Sequence, residues 1–93
     1  MNRGTGVRPH APLRPMWLCR ACARPWPCAV SRLLLLDEYA GNRSDLCVRM
    51  SARFHESVTD LYRLNPYEAP DLSTMYQRFL AWVPPKNAQG RNP

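Results

Sequence analysis

The clearest periodic pattern of the chain lies between residues 44 and 65. Apolar residues recur there at spacings of three and four, which places them on one face of a helix: Cys47, Met50, Phe54, Val58 and Leu61. Ser44 is a favourable N-cap, and Asp45 lies in the first turn, where a carboxylate is stabilised by the helix dipole. Asn65-Pro66 ends the pattern because proline cannot continue a helix.

Two shorter helices are predicted on either side of this one. The first runs from about Cys28 to Ala40, with Gly41 at the position of a left-handed C-cap. Its predicted apolar face comprises Ala29, Val30, Leu33, Leu34, Leu36 and Tyr39. The last helix starts near Pro70-Asp71 and ends before Pro84-Pro85. Its predicted apolar side comprises Leu72, Met75, Tyr76, Phe79, Trp82 and Val83.

These patterns predict a mainly α fold: a small three-helix domain with an N-terminal Cys-rich metal-binding loop and disordered tails. Residues 1–15 are expected to form a flexible Arg/Pro-rich strap, 16–83 the Cys-loop and three helices, and 84–93 a disordered tail. The short connection after the long helix predicts that the last two helices are antiparallel neighbours. No strand pattern competes with the helical ones.

The net charge of +6 is concentrated in the N-terminal third. Residues 1–36 carry six arginines and no acid, whereas residues 37–93 carry seven basic and seven acidic residues. This distribution suits an acidic partner or nucleic acid. The alternative is that the chain is simply rich in arginine, since these residues are dispersed and form no run.

The longest aliphatic run, Leu33 to Leu36, is far shorter than the roughly 20 residues of a membrane span. Prolines interrupt the N-terminus where a secretory signal would need an apolar core. A cytoplasmic location is therefore expected, with no membrane contact. In that reducing compartment, clustered cysteines are more often metal ligands or redox groups than disulfides.

Three cysteines form the most specific chemical pattern of the chain, Cys19-x2-Cys22-x5-Cys28. A C-x2-C pair lets two thiolates converge on one ion, and a structural zinc site needs four such ligands. His10, on the flexible strap, is the predicted fourth ligand, and Cys47 and His55 are the alternatives. The opposite interpretation is three thiols without a metal, with Cys47 as a small core residue and His55 on a helix flank.

Two details of this loop bear on its chemistry. Ala23 follows the C-x2-C at a position where glycine often provides a positive φ, so alanine is expected to add strain. Trp17 and Trp26 flank the cysteines. They are expected to shield the loop, although they can also stack on bases or receive an arginine.

The chain resembles small uncharacterised actinobacterial proteins in four segments: Pro12-Leu-Arg-Pro-Met-Trp-Leu-Cys-Arg-Ala-Cys-Ala-Arg-Pro-Trp-Pro-Cys28, Leu33 to Tyr39, Asp60-Leu-Tyr-Arg-Leu-Asn-Pro66 and Arg78-Phe-Leu-Ala-Trp82. Some of these proteins are labelled flavin reductase, which implies flavin or NAD(P)H chemistry. The cysteine spacing also resembles the WhiB-like iron–sulfur regulators. That resemblance implies an iron–sulfur cluster on Cys19, Cys22 and Cys28, and DNA binding.

Three classes of function follow. The residues themselves favour a non-enzymatic adaptor or regulatory module with a structural zinc ion and a protein partner, because no nucleophile, base and acid stand at motif spacing. The resemblances imply a flavin-linked oxidoreductase component, or an iron–sulfur or nucleic-acid-binding regulator. No catalytic residue is predicted, and neither the partner nor the oligomeric state follows from the sequence.

Overall fold

A computed structural model describes residues 8–85 of the chain. Two short strands precede three helices: β1 (Pro12–Leu13), β2 (Leu18–Cys19), α1 (Ala29–Glu38), α2 (Arg43–Leu64) and α3 (Leu72–Phe79). The mainly α fold class is confirmed. Parts of the predicted strap and tail, residues 1–7 and 86–93, lie outside the described residues.

The helix ends differ in detail from the predicted ones. Cys28 is the N-cap of α1, and its side chain accepts from the Ser31 N–H. Gly41 has a φ of 77°, as a left-handed position after α1 requires. The Ser44 N-cap is wrong, because α2 begins at Arg43 and its N-cap residue is Asn42. The N-cap thus lies two residues earlier than predicted, and the Asn42 side chain donates to the Asp45 carboxylate at 2.9 Å.

A two-stranded antiparallel hairpin precedes the helices, whereas the sequence predicted no strand. Pro12 pairs with Cys19, and Leu13 pairs with Leu18. Strands of two residues are too short to show an alternating pattern, and Pro12 is tolerated because β1 is an edge strand. The strap was predicted to be flexible, but in the described residues its later part lies along the Cys-rich loop.

The buried face of α1 differs from the predicted one. Leu35 and Ser31 are its buried residues, whereas Val30, Leu33 and Leu34 are exposed. The four consecutive leucines, Leu33 to Leu36, surround the helix and do not by themselves indicate which side of α1 faces the core. Ser31 can lie on the buried face because its hydroxyl donates to the Cys28 carbonyl at 2.9 Å, so its polar group is satisfied in the interior.

The core lies where α2 and α3 pack together beneath the Cys-rich loop. Its buried apolar residues are Trp17, Cys19, Trp26, Cys28, Leu35, Leu46, Met50, Met75, Phe79 and Val83. Most of the predicted α2 stripe packs against them at partial burial. On α3 the prediction was wrong for Leu72 and Tyr76, which are exposed. Trp82 and Val83 lie beyond the end of the helix at Phe79.

The contacts of α2 and α3 confirm that they are antiparallel. Leu72, at the start of α3, lines a cavity with Val58 and Leu61 near the end of α2. At the opposite end, Arg43 donates to the Pro84 carbonyl, and Cys47 lines a cavity with Leu80. Among residues 8–85, no helix is both long and apolar enough to cross a membrane.

Asp60 connects α2 to the start of the Cys-rich loop. Its carboxylate accepts from the Trp17 indole N–H at 2.9 Å and from Arg14 Nε at 2.7 Å. The hydrogen bond from Arg14 is the main cause that holds the pKa of Asp60 below its ordinary value, against the opposing effect of burial. One partly buried carboxylate thus fixes a buried tryptophan and an arginine from distant parts of the chain.

We expect Asp60→Asn to lower the free energy of unfolding by about 1–2 kcal/mol at pH 7, because it removes a charged acceptor from two donors. The pKa of Asp60 is depressed, so its contribution is present above its unfolded pKa and is lost as pH falls through its folded pKa. Urea unfolding at pH 7 and at about pH 3 measures the difference between variant and wild type. That difference should shrink in acid. Glu68→Gln, at an exposed position, is the control.

Candidate metal centre

The Cys-rich loop, defined here as Trp17–Cys28, is closed by its own backbone. The Cys19 N–H donates to the Arg24 carbonyl at 2.7 Å, and the Ala23 N–H donates to the Cys19 carbonyl at 2.8 Å. The Ala21 N–H also points at the Cys19 sulfur, at 3.4 Å. These bonds curl the chain so that Cys22 returns toward Cys19, while Cys28 is held at the start of α1.

His10 reaches this loop because the hairpin brings the strap alongside it. Pairing of Pro12 with Cys19 places the residues just before Pro12 next to the start of the loop. The Arg20 N–H donates to the Ala11 carbonyl at 2.9 Å. The Trp26 indole N–H donates to the His10 carbonyl at 3.1 Å. One backbone and one side-chain hydrogen bond therefore hold the main chain at His10 and Ala11.

The four residues that the sequence singled out as metal ligands come together. The ligand atoms of His10, Cys19, Cys22 and Cys28 all lie within 4.8 Å of one another. His10 Nδ1 is 3.3 Å from both the Cys19 and the Cys28 sulfurs. Those two sulfurs are 3.7 Å apart. Zinc–ligand bonds of about 2.0 Å to nitrogen and 2.3 Å to sulfur give tetrahedron edges of about 3.5–3.8 Å, so these three separations are close to those around a single ion.

Burial and electrostatics differ among the three thiols. Cys19 and Cys28 are buried, and Cys22 is exposed. Burial favours the neutral form of Cys28, but hydrogen bonds from Ser31, together with His10 and Cys19, outweigh it and lower the pKa of Cys28 to about 6. A backbone hydrogen bond from Arg24 lowers the pKa of Cys22, but desolvation and the two neighbouring sulfurs outweigh it and raise that pKa. A cation between the sulfurs would relieve this conflict.

The alternative ligands lie outside this cluster. Cys47 on α2 is partly buried and packs against the core, in the structural role that was weighed for it. His55 is exposed on the same helix, with its ring 5.6 Å from the Phe54 ring. That His10 and the three cysteines bind a metal remains a prediction, but the fold positions only these four of the candidate residues together.

The two tryptophans of the loop are core residues. Trp17 is fully buried and Trp26 is 4% exposed, so neither offers a face on which a base can stack. Both pack against Phe79 of α3, Trp17 edge-on at 5.5 Å. Trp17 also receives an arginine, since the Arg14 guanidinium lies 5.5 Å from its ring centre. The expectation that these rings shield the loop agrees with their burial.

The sequence analysis did not identify Arg78 and Arg32, two arginines whose side chains donate hydrogen bonds to backbone carbonyls of the loop and of α3. Arg78 on α3 donates to the Trp26 carbonyl at 2.8 Å and to the Trp17 carbonyl at 2.6 Å. Arg32 on α1 donates to the Pro27 carbonyl and to the Arg78 carbonyl, both at 3.2 Å. Burial and the nearby charge of Arg32 lower the pKa of Arg78. The sequence did hold one signal for Arg78. It precedes the core residue Phe79, and no acidic residue stands one helical turn away to pair with it.

Ala23 adopts the strained conformation expected from its position. Its φ is 63°, in the left-handed region that a Cβ atom disfavours. Trp17, the last residue of the turn between β1 and β2, also has a positive φ of 57°. The loop therefore holds its sulfurs together at a conformational cost.

No protein-family model, no curated protein and no solved structure matches the chain. The fold and the site define its class: a small helical protein with a His/Cys cluster that could bind a metal ion.

We expect Ala23→Gly to raise the free energy of unfolding by about 0.5–1 kcal/mol, because glycine adopts a positive φ without a steric penalty. Ala52→Gly, at an exposed position inside α2, is the matched control and should be destabilising by a similar amount. Chemical denaturation of both variants measures the two effects. Destabilisation by Ala23→Gly would contradict the assigned strain.

We expect Arg78→Met to lower the free energy of unfolding by about 1–3 kcal/mol, because buried carbonyls of the loop lose a charged donor. Arg63→Met, at an exposed site near the end of α2, removes the same charge without touching the loop. The comparison of the two variants by thermal unfolding isolates the loop contacts. Equal melting temperatures would show that these bonds contribute nothing.

Proposed function

We propose that His10, Cys19, Cys22 and Cys28 bind one structural zinc ion, and that the chain is a small non-enzymatic interaction module. The observation that carries this proposal is the convergence of the four ligand atoms within 4.8 Å. A cluster of three thiolates and one imidazole is a common structural zinc set. The proposal places the chain in a reducing compartment such as the cytoplasm, where the thiols stay available.

The spacing of the ligands favours one ion over an iron–sulfur cluster. In a cluster each protein ligand binds at the edge of a larger inorganic core, so the ligands stand further apart than around a single ion. Here His10 Nδ1 lies 3.3 Å from the Cys19 and Cys28 sulfurs, those sulfurs are 3.7 Å apart, and all four ligand atoms lie within 4.8 Å of one another. These separations support zinc over the cluster implied by the resemblance to WhiB-like regulators.

A structural role fits the positions of the ligands better than a catalytic one. Four protein ligands complete a tetrahedron and leave no position for a substrate or an activated water. They come from the strap, the end of β2, the loop and the N-cap of α1. One ion would therefore tie four segments of a small domain together, which replaces part of the core that so short a chain cannot build.

The experiment is elemental analysis and an absorbance spectrum of protein purified without oxygen. We expect one zinc per chain and no visible colour. Removal by a chelator should lower the melting temperature and the helical signal, because binding energy is coupled to folding. A brown protein containing iron would contradict the zinc proposal in favour of an iron–sulfur protein. A yellow protein would do so in favour of a flavin protein.

Matched variants test whether zinc binding depends on the four cluster residues in particular, and not on any cysteine or histidine of the chain. We expect Cys22→Ser and His10→Ala to weaken zinc binding by more than the about 10- to 100-fold typical of second-shell changes. Cys47→Ser and His55→Ala should bind zinc as the wild type does, because these residues lie outside the cluster. Competition against a chromophoric chelator measures the four affinities. Equal affinities in all four variants would contradict the assigned ligands.

A further inference from the structure

The outward face of α1 carries an exposed apolar strip with a charge at each end. Leu33 and Leu34 lie at its middle and are 68% and 55% exposed, and Val30 is 45% exposed. Arg24 borders one end, where it lines a 280 Å³ cavity together with Val30. Asp37, one turn beyond Leu33 and Leu34, marks the other end. We call these five residues the α1 strip.

Within residues 8–85, the charges at the two ends of the strip form no ion pair closer than 4.0 Å. The ion pairs among residues 8–85 join Arg14 to Glu56 and Asp60, and Arg53 to Glu56. Neither Arg24 nor Asp37 takes part in them. The chain has no acidic residue before Asp37, so the end of the strip at Arg24 is uniformly positive in sequence.

The helix dipole makes this arrangement unfavourable within one molecule. Asp37 and Glu38 lie in the last turn of α1, where the dipole favours cations, and that turn carries no basic residue. The first turn, which favours acids, has none. Arg49 of α2 lies near this end, since it donates to the Tyr39 hydroxyl at 3.3 Å and lines a cavity with Glu38, but it forms no ion pair with Asp37. A cation that another molecule places beside Asp37 would therefore still be favourable there.

The strip is complementary to itself under a two-fold rotation. The centre of the segment from Val30 to Asp37 falls between Leu33 and Leu34, the two exposed leucines. A two-fold axis through that point packs two α1 helices antiparallel, with the leucines facing each other. The same rotation brings Asp37 of each copy to Val30 and Arg24 of the other, so one operation forms both ion pairs.

We propose that the α1 strip is a homodimer interface, in which two copies pair antiparallel through Leu33 and Leu34, with Arg24 against the partner copy's Asp37 on both sides. We assign a second copy as the partner because the strip has a positive charge, Arg24, at one end and a negative charge, Asp37, at the other. An antiparallel copy therefore presents the opposite charge to each end. An unrelated acidic partner would match Arg24 but would repel Asp37. The proposal does not depend on the identity of the metal.

A strip on a helix of ten residues is small, so the dimer is expected at the weak end of specific interfaces. Sedimentation equilibrium of the full chain over roughly 10–500 µM covers the range in which such a dimer forms. We expect wild type to dimerise across this range and Leu33→Glu to raise the dissociation constant at least about tenfold. Val48→Glu replaces another exposed apolar residue, 70% exposed on α2, and should dimerise as wild type does.

Charge variants test the two-fold arrangement itself. Arg24→Asp alone places like charges together twice in the dimer, and so does Asp37→Arg alone, so each variant should dimerise more weakly than wild type. An equimolar mixture of the two variants restores both opposite-charge pairs. It should therefore form a heterodimer at concentrations where each variant is monomeric.

Circular dichroism confirms that each variant is folded before it is compared. A monomeric wild type over the whole range would overturn the proposal, as would a dimer equally sensitive to Leu33→Glu and Val48→Glu. Failure of the mixed charge variants to associate would overturn the antiparallel pairing. Binding of the strip to a different protein by a monomeric chain would also contradict it.

Discussion

The packing of Trp17 and Trp26 against Phe79 is the contact on which the rest of the structure depends. It joins the Cys-rich loop, which has little regular structure, to α3 at the far end of the chain. Arg78, the neighbour of Phe79, uses the same turn of helix to donate to the carbonyls of both tryptophans. Apolar burial at Phe79 and charge-assisted hydrogen bonds from Arg78 thus act on the same two tryptophans. Together they position the loop without a contribution from a metal.

A single ion at the cluster would act on a loop that is already held in place. The hairpin delivers His10, the backbone of the loop delivers Cys19 and Cys22, and α1 delivers Cys28. The positive φ of Ala23 is a conformational cost of this arrangement. Such a cost is typical of a site whose geometry serves a ligand, and it is consistent with the structural zinc proposed for it.

The loop and the α1 strip are adjacent, which relates the two proposals physically. Cys28 caps α1, and the cavity beside the exposed Cys22 is lined by Arg24 and Val30 of the strip. A metal that fixes the loop would also fix Arg24 relative to the leucines of α1. Dimerisation in turn would cover the open side of the cluster. Neither proposal needs the other to hold, because the strip lies mostly on a helix and the cluster lies mostly in the loop.

The sequence by itself determined the three helices, the long α2 stripe, the left-handed position at Gly41 and the three cysteines of the cluster. These features follow from local periodicity, from capping chemistry and from the spacing of cysteines. Only the tertiary structure decided that Ser31 and Leu35, rather than Val30, Leu33 and Leu34, face the core. It also decided that His10 rather than Cys47 or His55 lies beside the three sulfurs. It revealed Arg78 and Asp60 as anchors of the loop. The physical reason is that these outcomes depend on contacts between residues 9 to 61 positions apart, and the periodicity of one segment carries no information about its distant neighbours.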